Sequence, residues 1–219
     1  ARRLPRAPSQ LMRHSLDRRG SHLSQISKTI DTVIRNGLAQ ELKAAGYRKT
    51  GRTWRRGADA GIRLTNLQAS WTNRGDSGTF TLNLGCYFPD AARIHGGFRV
   101  TNSPTDSDCI VSQRIGELFP DGLDHWWQVG PDTDSELLGN KVANAWKAYG
   151  MPWLDAHSDP RAARQFMVDR GFFWWGAIFS LVLNEPTEAR NYLDAALAEA
   201  AESPSMLRIL QAWRIRANL

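Results

Sequence analysis

The stretch Ser77 to Phe88, SGTFTLNLGCYF, alternates more strictly than any other in the chain. Phe80, Leu82, Leu84, Cys86 and Phe88 take every second position, and Thr79, Thr81, Asn83, Gly85 and Tyr87 fill the gaps. A period of two puts each set on its own face of a strand, one apolar and one largely polar. Such a strand needs paired neighbours and a layer over its apolar side. The pattern therefore predicts the central strand of an antiparallel sheet packed under helices.

The flanking segments supply the neighbours. Tyr47 to Gly57 reads as a turn at Gly51 and a short strand around Trp54. Ala60 to Trp71 reads as the next strand. In it Ile62 and Leu64 share one phase, and Leu67, Ala69 and Trp71 share the other. The switch at Thr65–Asn66 implies either a bulge or a strand covered on both faces. Thr72 to Gly78 is the hairpin loop that follows. Residues 89–108 are a long Pro-, Gly- and Asp-rich excursion with one edge strand at Gly97–Thr101. Cys109 to Leu118 reads as a further strand, and Phe119 to Val129 as a turn with two tryptophans.

The rest has the helical period. Ser21 to Ala45 carries Leu23, Ile26, Ile30, Val33, Ile34, Leu38 and Leu42 at spacings of three or four. Gly46 closes it, and Gly37 is an interior flaw costing about 1 kcal/mol relative to Ala. Asp132 to Tyr149 is a second helix, stopped by Gly150. Asp159-Pro160, Glu185-Pro186 and Ser203-Pro204 each place Pro at a first helical position. They predict three short-linked helices, the first reaching about Leu183. The fold class is α+β: a mostly antiparallel sheet of four to six strands, an N-terminal helix and a C-terminal three-helix cap. The expected organisation is a disordered basic arm over 1–20, an α+β domain over 21–154 and a helical extension over 155–219 packed on it.

Charge is divided unevenly. Residues 1–56 hold 14 of the 28 Lys and Arg and three of the 22 acids, for +11; the remainder holds 14 bases and 19 acids, for −5. The overall +6 is thus a property of the N-terminal quarter and does not describe a nucleic-acid-coated surface. Nine Trp and eight Phe exclude a disordered chain. The two cysteines, Cys86 and Cys109, fall in strand segments and read as free buried thiols of a reducing, cytoplasmic protein. The most apolar run, Phe172 to Leu183, is too short to span a bilayer, so no membrane association is expected.

The order and spacing of several pieces resemble the mainly bacterial family known as domain of unknown function number 4304. The pieces are Gly46-Tyr47-Arg48-Lys49 with Arg52-Thr53-Trp54, Asn66-Leu67-Gln68-Ala69-Ser70, Phe80 to Gly85, Arg114-Ile115-Gly116-Glu117-Leu118, Asp124 with Trp126-Trp127, and Met151-Pro152-Trp153-Leu154. The resemblance covers about Leu38 to Leu154. It implies an α+β domain and no particular activity.

Two groups of residues stand out as candidate surfaces. Asn66, Gln68 and Ser70 alternate on one strand, and hairpin pairing brings Asn83 alongside. With Arg114 they form equipment for hydrogen-bonding a ligand or protein partner, against the simpler reading of a solvated or internally bonded sheet face. If the patch binds a partner, Gln68→Ala and Asn83→Ala should leave stability nearly unchanged and weaken binding instead, whereas a loss of stability would mark the amides as structural. Arg48, Lys49, Arg52, Arg55 and Arg56, with Tyr47 and Trp54 interleaved, have the composition of a nucleic-acid contact. Their simpler reading is a charged sheet edge that blocks pairing with other chains.

Other chemistry is weaker. His125 near Asp121 and Asp124, and His157 between Asp155 and Asp159, do not make metal sites by spacing alone. No nucleotide-binding glycine loop or nucleophile elbow occurs, so no cofactor or catalytic residue is assigned. The Trp126-Trp127 and Trp174-Trp175 pairs read as core or core-edge aromatics. The leading reading is a non-enzymatic interaction module for another protein, of which a toxin-neutralising immunity protein is one form. The alternatives are a nucleic-acid binder using the basic quarter and a hydrolase without a recognisable motif.

Overall fold

The computed structural model describes residues 25–219 apart from Gly75. The basic arm assigned to 1–20 lies outside the described residues. Strands β1 (Arg48–Thr50), β2 (Thr53–Ala58), β3 (Gly61–Ala69) and β4 (Gly78–Tyr87) form an antiparallel meander. The far edge of β4 is shared by two short strands. β5 (Val111–Arg114) pairs with residues 83–86 and β6 (Trp127–Val129) with residues 78–80. The alternating stretch is therefore the centre of the sheet, with three strand neighbours.

The inner face carries Trp54, Leu67, Phe80, Leu82, Leu84, Cys86, Val111 and Val129, all buried in one core. Helices α1 (Gln25–Asn36), α2 (Leu38–Ala44), α4 (Ser135–Ala145) and α5 (Met151–His157) supply the covering layer; α3 (Pro89–His95) follows β4. The expected first helix is two helices. Gly37, at φ −138° and ψ −86°, breaks it between α1 and α2. The cause is a crossing: a Cβ on Gly37 would lie 2.1 Å from the Gly139 carbonyl oxygen, and one on Gly139 would lie 2.6 Å from that of Val33. The backbones of the two helices touch there.

The phase switch in β3 is not a bulge. Its register with β4 runs unbroken from Ile62↔Tyr87 to Ala69↔Phe80. The strand is covered on both faces instead, because Leu64 packs outward with Tyr87, Ala92 and Cys109 in a second, smaller cluster. The edge strand expected at 97–101 is absent. The Tyr87 hydroxyl donates to Arg99 O (2.9 Å) and accepts from Thr101 N (3.1 Å), so a side chain takes the place of a strand partner.

Gly150 does not stop a helix. It sits at φ −69° and ψ −49°, and α4 runs through a π turn, Trp146–Gly150, into α5. A Cβ at Gly150 would lie 2.8 Å from Trp146 Cδ1 and 3.4 Å from Leu84 Cδ2. The glycine lets the helix lie close on the sheet. Beyond α5 come four helices, not three: α6 (Pro160–Val168), α7 (Phe173–Val182), α8 (Pro186–Glu199) and α9 (Pro204–Ala217). The three proline starts hold, but Gly171, at φ 78°, follows α6 and separates it from α7. The core continues into these helices, and the Trp213 Nε1–H donates to Ile94 O (3.0 Å), joining α9 to the end of α3.

Both cysteines are free and buried. They lie on opposite faces of β4: Cys86 is in the main core, and Cys109 packs against Gly85 in the outer cluster. Burial pushes the Cys86 thiol up to about 12 and the Cys109 thiol well above its usual value. Native protein at pH 8 should resist alkylation, and unfolding without reductant should release two reactive thiols. Rapid native labelling, or a missing pair, would disprove this packing.

Candidate functional site

The outer sheet face gathers the first candidate group. Asn66, Asn83 and Arg114 are register partners across β3, β4 and β5, and Gln68 follows on the same face. Ser70 lies one step beyond β3, where its N–H donates to Thr79 O (2.9 Å). The amides are half-buried and bonded to one another. Asn83 Nδ2 donates to Gln68 Oε1 (2.9 Å) and Asp106 Oδ2 (3.2 Å), while Asn66 Nδ2 donates to Thr53 Oγ1 (2.9 Å). Arg114 is ion-paired with Asp124 and lies 5.2 Å from the ring of Trp126, whose Nε1–H donates to the same carboxylate (3.1 Å). The loop carrying these partners covers part of β4, where Thr81 Oγ1 donates to His125 O (3.2 Å).

This bonding changes the expected effect of truncation. Asn83→Ala removes two hydrogen bonds worth roughly 0.5–1.5 kcal/mol each. It should lower the unfolding free energy by about 1–2 kcal/mol in urea. A change below about 0.5 kcal/mol would mean that these bonds carry no net stability.

The basic group is not brought together as one patch. Arg52 donates to Asp31 Oδ1 (2.8 Å) and Ser27 Oγ (2.6 Å), and Arg55 Nε donates to Pro104 O (2.6 Å). Arg48, Lys49 and Arg56 remain exposed. The β1–β2 register puts Arg48 with Arg55 and Lys49 with Trp54, so Arg48 and Lys49 point to opposite faces. The interleaved aromatics offer no ring to stack a base on: Tyr47 and Trp54 are buried, and burial pushes the Tyr47 hydroxyl up to about 12. Lys49 covers Trp54 at 5.0 Å.

The two histidines take local partners. His125 Nε2 lies 2.6 Å from Asp121 Oδ2, and the His157 Nδ1–H donates to Trp153 O (2.8 Å) with the rings stacked at 4.5 Å. Among the described residues no three His, Cys, Asp or Glu side chains converge as metal ligands. No helix among them is long and apolar enough to cross a membrane.

The residue that sequence reasoning missed is Trp71. The alternation placed it inward with Leu67 and Ala69, but β3 ends at Ala69 and the alternation ends with it. Trp71 is 89% exposed. The loop around it is closely held. Asn73 accepts from Thr79 N (2.8 Å) and donates to Thr79 O (2.9 Å). Gly78 makes room for that clamp, since a Cβ there would lie 2.5 Å from Asn73 Cγ. Thr72 N donates to Ser70 Oγ (3.2 Å). The signal in the sequence was the polar run TNRGDSG that starts directly after Trp71.

Beside this loop runs an open trough of about 620 Å³, lined among others by Thr72, Asn73, Thr79, Gln128, Pro131 and Asp132. Its second wall is the turn Gly130–Thr133. The Gly130 N–H donates to Thr133 Oγ1 (2.7 Å) and the Thr133 N–H to Gly130 O (3.2 Å). Thr79 and Gln128 are register partners, so the trough adjoins the outer sheet face.

The fold and this surface define an α+β protein with a helix-backed six-stranded antiparallel sheet. The chain belongs to the family described as Domain of unknown function (DUF4304), which matches residues 38–156. That span begins at α2 and ends within α5, so it contains the sheet, its hairpin and the trough. No curated protein and no solved structure matches the chain.

Proposed function

We propose that this protein is a non-enzymatic, cytoplasmic protein-interaction module. Its binding surface is the outer sheet face at the end formed by the β3–β4 hairpin. The observation that carries this reading is the exposure of Trp71 on a loop that Ser70 and Asn73 hold through side-chain hydrogen bonds. A large apolar ring left in water is a source of affinity that the fold does not use, and Trp is among the residues that most often dominate protein interfaces. A held backbone lowers the ordering cost of burying it. Arg114, lying over Trp126 further along the outer face, is of a second residue type favoured at interface centres. Buried free thiols suit a reducing compartment.

The test replaces Trp71 with a photo-crosslinking phenylalanine analogue in a lysate of the source cell. A single protein adduct is expected, identified by mass. Trp71→Ala should then weaken that partner at least tenfold in calorimetry, about 1.4 kcal/mol. Its own stability should stay within about 0.5 kcal/mol, because the ring touches little of the fold. An unchanged affinity would end this reading.

A further inference from the structure

We infer that the trough between the β3–β4 hairpin and the Gly130–Thr133 turn receives an extended peptide segment carrying a lysine or arginine, with Asp132 as the counter-ion and Trp71 as the aromatic platform. This rests on the protein-binding reading and names the partner's chemistry. Three observations lead to it.

The first is charge. The lining carries one charge, that of Asp132, and the residues next to it in the chain add Asp76, Asp134 and Glu136 against Arg74, a net −3 in all. The acids differ in how far they are engaged. Asp134 caps α4 through Glu136 N (3.0 Å) and Leu137 N (2.9 Å), and Asp76 lies 3.3 Å from the Ser77 hydroxyl. Asp132 lines the trough, is exposed, and has no hydrogen bond or ion pair among the described residues. The Glu136 carboxylate is also unengaged among the described residues but does not line the trough, so Asp132 is the carboxylate placed to meet a cation there.

The second is an exposed indole next in the chain to the trough's wall. Trp71 immediately precedes Thr72 and Asn73 in the wall. Tryptophan is the strongest aromatic partner for a cation, and a carboxylate lining the trough selects ammonium or guanidinium over a neutral group. The same charge disfavours a nucleic-acid backbone, whose phosphates Asp132 and the acids of its approaches would repel.

The third is shape. A small ligand is held by burying most of its surface, which an open trough does not do. A trough of about 620 Å³ lined by hydroxyl and amide groups suits a few residues of extended chain, whose peptide groups need donors and acceptors on both sides. Both walls are already fixed by the Asn73 clamp and the Gly130–Thr133 bonds, so the site needs little reorganisation on binding.

The experiment pans a phage-displayed library of linear decapeptides on the full chain, then measures one enriched synthetic peptide by fluorescence anisotropy. The expected result is a shared Lys or Arg at one position. Its replacement by Gln, and separately Asp132→Asn and Trp71→Ala, should each weaken binding about tenfold or more. Both protein variants change exposed side chains, and unaltered thermal unfolding would confirm that they are folded. Binding that needs Trp71 but ignores Asp132 and the peptide cation would overturn this inference and leave the interaction module standing. Binding that survives Trp71→Ala would overturn both, and no enrichment over a Trp71→Ala, Asp132→Asn double variant would overturn the inference.

Discussion

Trp146→Ala should lower the unfolding free energy by about 3–5 kcal/mol, the range for removing a large buried aromatic. Trp146 is 1% exposed and sits where α4 passes through its π turn over the inner sheet face. The indole meets Tyr47 edge-on at 5.8 Å, and its Nε1–H donates to Thr65 Oγ1 (3.1 Å). Thr65 has no exposure at all, so truncation leaves a cavity and an unpaired hydroxyl together. At roughly 2–4 °C per kcal/mol for a chain of this size, calorimetry should show a fall of about 10 °C. Trp146→Phe should recover part of the volume but not the hydrogen bond, and should fall between. A loss below about 1 kcal/mol for the alanine variant would contradict this packing.

Gly37→Ala should destabilise by about 1–3 kcal/mol or more, as overpacking does. The sign is the interest. Read as a flaw in a single helix, Gly37 invites replacement by Ala with a gain of about 1 kcal/mol. The structure reverses this, because the added methyl would meet the Gly139 carbonyl at 2.1 Å, and backbone cannot rotate away as a side chain can. Gly139→Ala should be harmful for the same reason, with its Cβ 2.6 Å from Val33 O. The two substitutions act at one crossing, so their costs should not add. Urea unfolding of both single variants and the double variant checks this. A more stable Gly37→Ala would show that the helices do not touch there.

The sheet was legible because its signals are local. The alternation of Phe80 to Phe88 identified the strand that pairs with three others, and the hairpin signals around Gly51 and Thr72 placed its neighbours. The helix starts at Pro160, Pro186 and Pro204 were legible for the same reason: each is written in two adjacent residues. The α3 helix has the same device at Pro89, but its seven residues carry too short an apolar stripe to be recognised within a Gly- and Asp-rich segment. What could not be read depends on distant partners. Gly37 breaks a helix because of Gly139, Gly150 is a close-packing glycine against Trp146 and Leu84 and not a helix stop, and Leu64 faces outward because Cys109 and Ala92 cover it. The candidate face was half legible. Period two put Asn66, Gln68 and Ser70 together. Their saturation by Thr53, Asp106 and each other, and the release of Trp71 once β3 ends, needed the three-dimensional arrangement.

The order in which β1 to β4 follow one another also bears on how the chain folds. Two residues join β1 to β2, two join β2 to β3, and an eight-residue loop joins β3 to β4. Each pairing closes a small loop, at little entropic cost. The meander can therefore assemble from neighbouring residues before the chain beyond it has settled. β5 and β6 must instead return to β4 from 24 and 40 residues past its end, counted from Tyr87 to Val111 and to Trp127. Their docking waits on a template that the meander has already built. Substitutions in the β2–β4 ladder should thus slow folding, while those in β5 and β6 should mainly speed unfolding.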